Sequence, residues 1–365
     1  MTTNSKRDVS LYIHFPFCVK KCAYCAFFSA PCQSEELKDE YESAVIRRID
    51  SLPEINVKTV YFGGGTPTVM GSARLCRILG SIFKKYDIES NTEITLEANP
   101  GTVNAEDLYD LHSAGFNRLS LGMQSADDST LKTLGRIHDN GTFLKCYADA
   151  RKYFGNVSLD AIFGLPGDGF SATVKQITDL DPEHVSAYSL MIEEGTPLYE
   201  NRDKYVFPDE NEEDAQYETL CRELGAYGYR HYEISSFAKP GYGSAHNTVY
   251  WKRGEYIGIG PAAHSFYNSR RFETPKDTQR FIKRSVLPFL SDTDYESALP
   301  LTPEENEEER VMLGLRLAEG VGLAENRLEK AKYFAESGFG TLQGNVFALN
   351  EAGFRVSNAI IAELI

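Results

Sequence analysis

The sequence predicts an α/β fold: a partial, TIM-like (β/α)6 barrel followed by a small C-terminal α+β unit. Short β-rich segments alternate with helix-patterned segments, and glycine-rich or polar residues follow the ends of the strands. Alternation of strand and helix favours parallel pairing with right-handed crossovers. Six such units are too many for a small open sheet. They fit a partial barrel whose functional residues lie at the mouth, the end where the carboxyl ends of the strands open.

The six predicted strands are Leu11–Phe15, Thr59–Phe62, Glu93–Glu97, Arg118–Leu121, Ser158–Phe163 and His184–Leu190. The predicted helices are Ser34–Ile49, Ser72–Tyr86, Asn104–Ala114, Gly141–Tyr153 and Ser171–Leu180. From about Asn201 this alternation ends. The segment Phe237–Tyr267 is rich in glycine, aromatic residues and histidine, and we expect it to form loops over the barrel mouth.

A second unit begins near Thr302, which starts a capping box with Pro303 at the first helical position and Glu305 three residues on. The acidic run Glu304–Glu309 is typical of a solvated helix start. The helix is expected to continue over Val311–Glu319.

Further on, the residues around Val346–Asn350 and Gly353 suggest a short hairpin, which favours a winged-helix-like unit. The predicted division is 1–270 for the barrel with its loops, 271–301 for a connecting segment and 302–365 for the C-terminal unit.

Composition excludes several classes of protein. The chain has 365 residues and 42% apolar content, enough for a sizeable core, and no apolar run long enough to span a membrane. A net charge of -15 argues against nucleic-acid binding. Its first ten residues have no apolar signal core, and its seven cysteines are odd in number and partly clustered, so we expect a reducing cytoplasm.

Three cysteines near the amino end carry the strongest chemical signal: Cys18, Cys22 and Cys25, spaced C-x3-C-x2-C. A four-iron cube takes four ligands, so three cysteines leave one iron open to a non-protein ligand. Zinc is the alternative, but no second Cys pair or His pair at zinc spacing follows. The other cysteines are scattered, and any of them could be a distant fourth ligand: Cys32, Cys76, Cys146 and Cys221.

A glycine run, Gly63–Gly65 followed by Thr66 and Pro67, comes directly after the second predicted strand. Glycines let backbone amides approach a ligand closely, and such a turn can bind a carboxylate or an amine. Taken alone this signal is weak. One strand after a three-cysteine loop it becomes strong.

Together these motifs resemble the radical S-adenosylmethionine superfamily. The resemblance implies a [4Fe–4S] cluster on Cys18, Cys22 and Cys25 whose open iron binds S-adenosylmethionine. It assigns the methionine end of that cofactor to Tyr12, Gly64, Gly65 and Thr66, and the remainder to Glu97, Gln124, Arg136 and Asp160. Singly, these residues have ordinary explanations, since a strand-end acid can cap a helix and an arginine can lie on the surface.

Seven stretches resemble, more narrowly, the family of oxygen-independent coproporphyrinogen oxidases and haem chaperones: Leu11–Phe28, Gly63–Thr68, Glu97–Gly101, Asn117–Ser125, Leu134–His138, Asp160–Pro166 and Tyr232–Ser236. The dehydrogenases of this family carry a further cysteine two residues after the third ligand, where this chain has Phe27. They also have a longer arm before the cluster, whereas here only 17 residues precede Cys18. Both differences favour the haem chaperone branch.

The stretch His246–Trp251, HNTVYW, is similar to the HN-x-x-YW stretch linked to haem binding in that branch, with Thr248 where many members have leucine. The resemblance implies that His246 ligates haem, with Tyr250 and Trp251 packing on the macrocycle. The alternative is that His246 is a hydrogen-bonded structural residue and Trp251 plugs the barrel. His264 could be a second ligand or a neighbour of S-adenosylmethionine.

The resemblance therefore implies a haem chaperone that delivers haem to a haem-dependent enzyme, with a respiratory enzyme as the expected acceptor. Its partners would be haem and that acceptor, with no nucleic acid and no transmembrane segment. The alternative is an oxygen-independent coproporphyrinogen III dehydrogenase that uses a 5′-deoxyadenosyl radical. A third is a radical enzyme for an unrelated substrate. Whether the chain is an enzyme stays open at this point.

Overall fold

A computed structural model describes residues 6–167, 169–289 and 300–365. The strands are β1 (Arg7–Phe15), β2 (Phe17–Cys18), β3 (Ala30–Pro31), β4 (Ile55–Gly64), β5 (Glu93–Ala98), β6 (Arg118–Gln124), β7 (Val157–Phe163), β8 (His184–Ser189), β9 (Arg230–Glu233), β10 (Ser236–Ala238), β11 (Tyr256–Ile259), β12 (His264–Tyr267), β13 (Arg270–Glu273), β14 (Val321–Gly322), β15 (Gly340–Gln343) and β16 (Val346–Leu349).

The α-helices are α1 (Glu35–Ser51), α2 (Ser72–Lys85), α3 (Ala105–Ala114), α4 (Asp128–Thr133), α5 (Asn140–Ala150), α6 (Phe170–Leu180), α7 (Pro197–Glu200), α8 (Glu210–Ala226), α9 (Ala245–Trp251), α10 (Thr278–Arg284), α11 (Pro303–Gly314), α12 (Leu328–Glu336), α13 (Glu351–Arg355) and α14 (Ser357–Leu364). Short 3₁₀ turns cover Pro67–Met70, Arg202–Lys204 and Glu325–Arg327. No helix in these ranges has both the length and the apolar character needed to cross a bilayer.

The main sheet has eleven strands in the order β13-β12-β11-β1-β4-β5-β6-β7-β8-β10-β9. Its centre is the run β1, β4, β5, β6, β7 and β8, in which every neighbouring pair is parallel. All seven residues of β6 are buried, as expected of a strand covered on both faces. The predicted partial (β/α)6 barrel is therefore confirmed, and β11 extends it by pairing parallel to β1 on the other side.

The segment Phe237–Tyr267 differs from the expected loops over the mouth. It contains helix α9 and strands β11 and β12. The amides of Ala245 and His246 donate to the carboxylate of Glu93, the first residue of β5, at 2.9 Å each. Since β5 runs from Glu93 towards the mouth, α9 lies at the opposite end of the barrel, which we call the floor.

The C-terminal unit has its own core and a three-stranded antiparallel sheet in the order β14-β16-β15, so the small α+β unit is confirmed. Its hairpin joins β15 to β16, whereas Gly353, expected in the hairpin, lies in helix α13. Helix α11 begins with the predicted capping box at Thr302. It ends at Gly314 and not at Glu319, because the following residues bond to the barrel. The amide of Ala318 donates to the Tyr232 carbonyl at 3.0 Å, and Leu317 bridges to Glu233.

The acidic start of α11 is only partly solvated. The carboxylate of Glu309 is 15% exposed and binds the guanidinium groups of Arg253 and Arg271 on the barrel side. In the connecting segment, α10 packs on α1, with the Phe281 and Tyr41 rings 5.5 Å apart. Residues 290–299 of that segment lie outside the described ranges.

Tyr41 ties α1 to the end of β1, because its buried hydroxyl donates to the carbonyl of His14. Replacement by phenylalanine leaves that carbonyl without its partner. We therefore expect Tyr41→Phe to lower the free energy of unfolding by about 1–2 kcal/mol. Urea unfolding measures it, with Tyr109→Phe as the control because that ring is 54% exposed. Equal stability of the two variants would contradict this role for Tyr41.

Candidate cofactor site at the mouth of the barrel

The three-cysteine loop leaves the carboxyl end of β1 and is closed at its base. Strand β2, which includes Cys18, pairs parallel with β3, and the Cys32 amide donates to the Cys18 carbonyl at 3.1 Å. Within β1, the His14 ring lies 3.0 Å from the Phe28 carbonyl through Nε2. The loop between these contacts is therefore short, and its ends are fixed to the barrel.

Contacts from later strands hold the loop from the other side. The Ala23 amide donates to the Leu134 carbonyl at 2.9 Å, and Tyr24 packs against a small apolar cluster, Leu134, Ile162 and Leu165. The Arg136 guanidinium lies 3.5 Å from the Cys22 sulfur, and the Thr66 hydroxyl lies 3.7 Å from the Cys18 sulfur. The loop thus faces the glycine turn and Arg136 together.

All three thiols are free, Cys18 buried and the other two half-buried. Burial raises the pKa of Cys25, so this thiol gives up its proton readily only when a cation is present to stabilise the thiolate. Among the described residues no three His, Cys, Asp or Glu side chains form a site for a metal ion. That finding concerns a single metal ion, whereas a four-iron cube binds each thiolate on a different iron. The assignment of these three cysteines to a cluster is therefore still a prediction.

The glycine turn lies directly against this loop. The Gly65 amide donates to the Phe15 carbonyl at 2.7 Å, and the Thr66 amide donates to the Phe17 carbonyl at 2.8 Å. Gly64 has a φ of 111°, and a Cβ there would come within 2.6 Å of the His14 ring. A side chain is therefore excluded at Gly64. Because the amides of Gly64, Gly65 and Thr66 are all engaged within the protein, this half-buried turn, the glycine cradle, would meet a polar ligand through backbone carbonyl oxygens.

Glu97 lies at the end of β5, beneath the glycine turn. Its carboxylate accepts a hydrogen bond from the Tyr61 hydroxyl at 2.6 Å and one from the Gly64 amide at 3.1 Å. Burial, with a further contribution from the charge of Asp160, raises the pKa of Glu97 to about 7. Because burial disfavours the charged form of Glu97, a cationic ligand beside it would stabilise the carboxylate and be bound by it.

Arg136 is not a surface residue but joins several strand ends. Its guanidinium donates to the Gly122 carbonyl at 2.8 Å and to the Asn99 side chain, whose amide in turn donates to Thr66 Oγ1 at 2.8 Å. Its Nε atom is buried and has no hydrogen-bond partner. A small, open pocket lies beside it, lined by Val19, Lys20, Cys22, Thr66, Asn99, Thr102, Arg136 and Ile137.

The remaining predicted cofactor residues face the interior of the barrel. Burial raises the pKa of Asp160 to about 6, and its carboxylate accepts a hydrogen bond from Ser120 at 3.0 Å. Gln124 ends β6 with a φ of 64°, an uncommon conformation that turns the chain at the mouth. Tyr12 is half-buried, and its hydroxyl lies 3.0 Å from His14 Nδ1.

His246 lies deeper, one layer below this site. Its ring stacks on that of Tyr61 with centroids 4.9 Å apart, and Tyr61 is the residue that binds Glu97. Both nitrogens are engaged, Nδ1 with the Thr59 hydroxyl and Nε2 with the Tyr250 hydroxyl, at 2.7 Å each. Burial lowers the pKa of His246 to about 3, so the imidazole is neutral. Thr248 bonds within the helix, through its hydroxyl, to the Ser244 carbonyl.

Other candidates lie apart from this arrangement. His264 is exposed on β12, and its ring lies 3.3 Å from the Glu273 carboxylate. Cys76, Cys146 and Cys221 lie on the outer helices α2, α5 and α8, while the Cys32 sulfur faces the Ser34 carbonyl. The mouth of the barrel therefore contains fewer candidate ligands than the sequence suggested.

Sequence reasoning assigned no role in the site to Asn99, Tyr61 or Arg118, although Asn99 and Arg118 lie in stretches that carry the family resemblance. Asn99 links Thr66 to Arg136, and Tyr61 links Glu97 to His246. Arg118 is 2% exposed, and its charge acts on both Glu97 and Asp160. An arginine at the start of a strand that is predicted to be buried is a signal that could have identified it.

The six parallel units and the cysteine loop at the mouth define the class of protein. Residues 12–177 match the Radical SAM superfamily model. Two relatives are the heme chaperone HemW of Bacillus subtilis, 35% identical over 86% of this chain and 84% of that protein, and HemW of Escherichia coli, 38% identical over 73% of each. The chain belongs to the HemW family of radical SAM proteins.

Among solved structures, the coproporphyrinogen III oxidase HemN of Escherichia coli superposes with a TM-score of 0.82, covering 99% of this chain and 90% of that one at 20% identity. At that identity the likeness shows the fold. Membership of the superfamily confirms the prediction of a [4Fe–4S] cluster and S-adenosylmethionine as cofactors. The donor set fits both, because three thiols on one loop face a glycine cradle and an arginine with a free buried nitrogen.

The raised pKa of Glu97 predicts a pH-dependent contribution to stability. Between about pH 4.5 and 7 the unfolded state releases this proton and the folded state keeps it, so the stabilising contribution falls as the pH rises through that window. Glu97→Gln keeps an acceptor for Tyr61 and removes the titration. In urea unfolding of cofactor-free protein, we expect the wild type to lose stability relative to Glu97→Gln as the pH rises from about 5 to about 8. Glu36→Gln is the control, because Glu36 is exposed. Parallel profiles of stability against pH for wild type and Glu97→Gln would contradict the raised pKa of Glu97.

Proposed function

We propose that this protein binds haem and delivers it to a haem-dependent enzyme in the cytoplasm or at its boundary, a respiratory enzyme being the recipient we favour. The observation that carries the proposal is the similarity to proteins named heme chaperone HemW over most of the chain. Phe27, in place of the dehydrogenases' further cysteine, supports the same branch.

Within this proposal, Cys18, Cys22 and Cys25 hold the cluster. Gly64, Gly65 and Thr66 bind the methionine end of S-adenosylmethionine together with Tyr12. The remainder of that cofactor is bound by Glu97, Gln124, Arg136 and Asp160. When bound, the cluster supplies one electron at low potential and an open iron coordination position. The chain's own residues position the ligand and exclude water from it.

For the cluster, we expect anaerobically reconstituted wild type to bind about four irons per chain. Each of the variants Cys18→Ser, Cys22→Ser and Cys25→Ser should bind much less iron. Cys76→Ser is the matched control, because that thiol lies on the outer helix α2. Iron analysis and the visible absorption spectrum measure the outcome. Full iron content in all three variants, or zinc alone in the wild type, would overturn the assignment.

For haem, His246 is the proposed axial ligand. Iron binds the neutral imidazole, the form that burial maintains here. Both ring nitrogens are engaged in this conformation, so ligation through Nε2 requires that the Tyr250 hydroxyl release that nitrogen. His246→Gln, which retains hydrogen-bonding capacity, is the variant of choice.

We expect His246→Gln to weaken haem binding by about tenfold or more, equivalent to about 1.4 kcal/mol, in a Soret titration. His264→Ala is the control, since that ring is exposed and lies on β12. Equal affinity for His246→Gln and wild type would remove His246 from the proposal.

The second candidate function is a coproporphyrinogen III dehydrogenase, favoured by the fold shared with HemN. Repeated conversion of coproporphyrinogen III to protoporphyrinogen IX by reduced, reconstituted protein would establish it in place of the chaperone. Release of 5′-deoxyadenosine, measured with haem binding in the same preparation, tells whether S-adenosylmethionine is cleaved.

A further inference from the structure

The floor helix α9 carries His246 on its buried face, and the helix is held at both ends. At its start, the Glu93 carboxylate accepts the amides of Ala245 and His246, and the Ser244 amide donates to the Tyr232 hydroxyl at 2.9 Å. Tyr232 is also the residue whose carbonyl accepts the Ala318 amide from the C-terminal unit. A single residue, Tyr232, therefore connects the beginning of α9 to the C-terminal unit.

The end of α9 contacts the C-terminal unit directly. Lys252 forms an ion pair with Glu319 at 2.9 Å. Arg253, which follows with a left-handed φ of 58°, directs its guanidinium to the carboxylate of Glu309 and the side chain of Asn306. Backbone hydrogen bonds that close the helix hold this conformation: the Arg253 amide donates to the Tyr250 carbonyl at 3.1 Å and the Gly254 amide to the Val249 carbonyl at 2.8 Å. The turn directs the Arg253 side chain towards α11.

The same Glu309 reaches His246 by a second route. Its carboxylate accepts a hydrogen bond from Arg271, whose other nitrogen donates to the Tyr256 hydroxyl at 3.2 Å. The Tyr256 ring packs edge-on against the Tyr250 ring, with centroids 4.6 Å apart. The Tyr250 hydroxyl occupies Nε2 of His246. Glu309 thus supports both the helix that carries His246 and the tyrosine that blocks it.

These contacts are sheltered from water. The side chains of Glu309, Arg253 and Arg271 are 15%, 18% and 33% exposed. The Arg253 and Arg271 guanidinium groups lie over the Phe266 ring, 5.0 and 4.6 Å from its centroid. Charge pairs so shielded are screened less by salt than surface pairs, and removing one partner leaves the others unpaired. Loss of the Glu309 charge therefore weakens the whole contact and not one hydrogen bond.

We propose that Glu309 of the C-terminal unit is a positioning residue for His246: it holds α9 against the barrel floor, and His246 becomes available to haem iron when this contact loosens. The inference rests on the proposed function, since it assigns a control to the haem site. It gives the C-terminal unit a role in when haem is taken up or handed over.

The test compares wild type with Glu309→Gln, which keeps the size of the side chain and removes its charge. We expect amide hydrogen exchange in residues 245–251 to accelerate about five- to thirtyfold, and haem association to accelerate in the same direction. The control is Glu307→Gln on the same helix, because Glu307 binds Arg310 and Arg327, both within the C-terminal unit. That variant should leave exchange in α9 unchanged.

Arg271→Gln is a second variant, for the case in which Glu309→Gln fails to fold. It removes the Tyr256 route and keeps the contact of Glu309 with Arg253, so a smaller acceleration is expected. Glu309→Asp should restore part of the wild-type protection.

The outcomes separate the inference from the function. Suppose that the wild type binds haem through His246, and that folded Glu309→Gln shows unchanged exchange in α9 and unchanged haem association. This result would overturn the positioning role of Glu309 and leave the proposed chaperone function standing. Faster exchange in α9 of Glu309→Gln, with no haem binding by wild type or any variant, would support the contact of Glu309 with α9 and overturn the proposed chaperone function.

Discussion

The close packing of the glycine turn against the cysteine loop is the constraint on which the rest of the site depends. Two backbone hydrogen bonds, from Gly65 to Phe15 and from Thr66 to Phe17, join the end of β4 to the residues that lead into Cys18. A Cβ at Gly65 would come within 2.7 Å of the Phe17 carbonyl, so only glycine permits this approach. The cradle for a small polar ligand and the thiols that would hold a cluster are thereby placed side by side.

Below this contact, the barrel interior is polar. The charge of the buried Arg118 acts on both Glu97 and Asp160. Tyr61 contacts Glu97 through its hydroxyl and His246 through its ring. Buried carboxylates with raised pKa values are costly in a purely structural role, and they occur typically where a charged ligand binds. The polar interior is consistent with a barrel built around a cationic cofactor and not around an apolar core alone.

The floor of the barrel and the C-terminal unit form a second level of organisation. Helix α9 closes the floor, and the contacts that secure it come both from β5 and from α11. The haem ligand implied by resemblance is therefore enclosed by two parts of the chain that are far apart in sequence. This arrangement connects the cofactor end of the barrel, through Tyr61 and His246, to the surface of the C-terminal unit.

The sequence by itself determined the alternation of strand and helix, the capping box at Thr302, the cysteine trio and the glycine turn, because each depends on local periodicity or spacing. Family resemblance added the cofactors. Only the tertiary structure decided that α9 lies at the floor, that Glu309 is paired with the barrel, and that Asn99, Tyr61 and Arg118 belong to the site. Those facts depend on contacts between residues distant along the chain, such as Glu93 with His246, and no local pattern encodes which strand end or helix a side chain will meet.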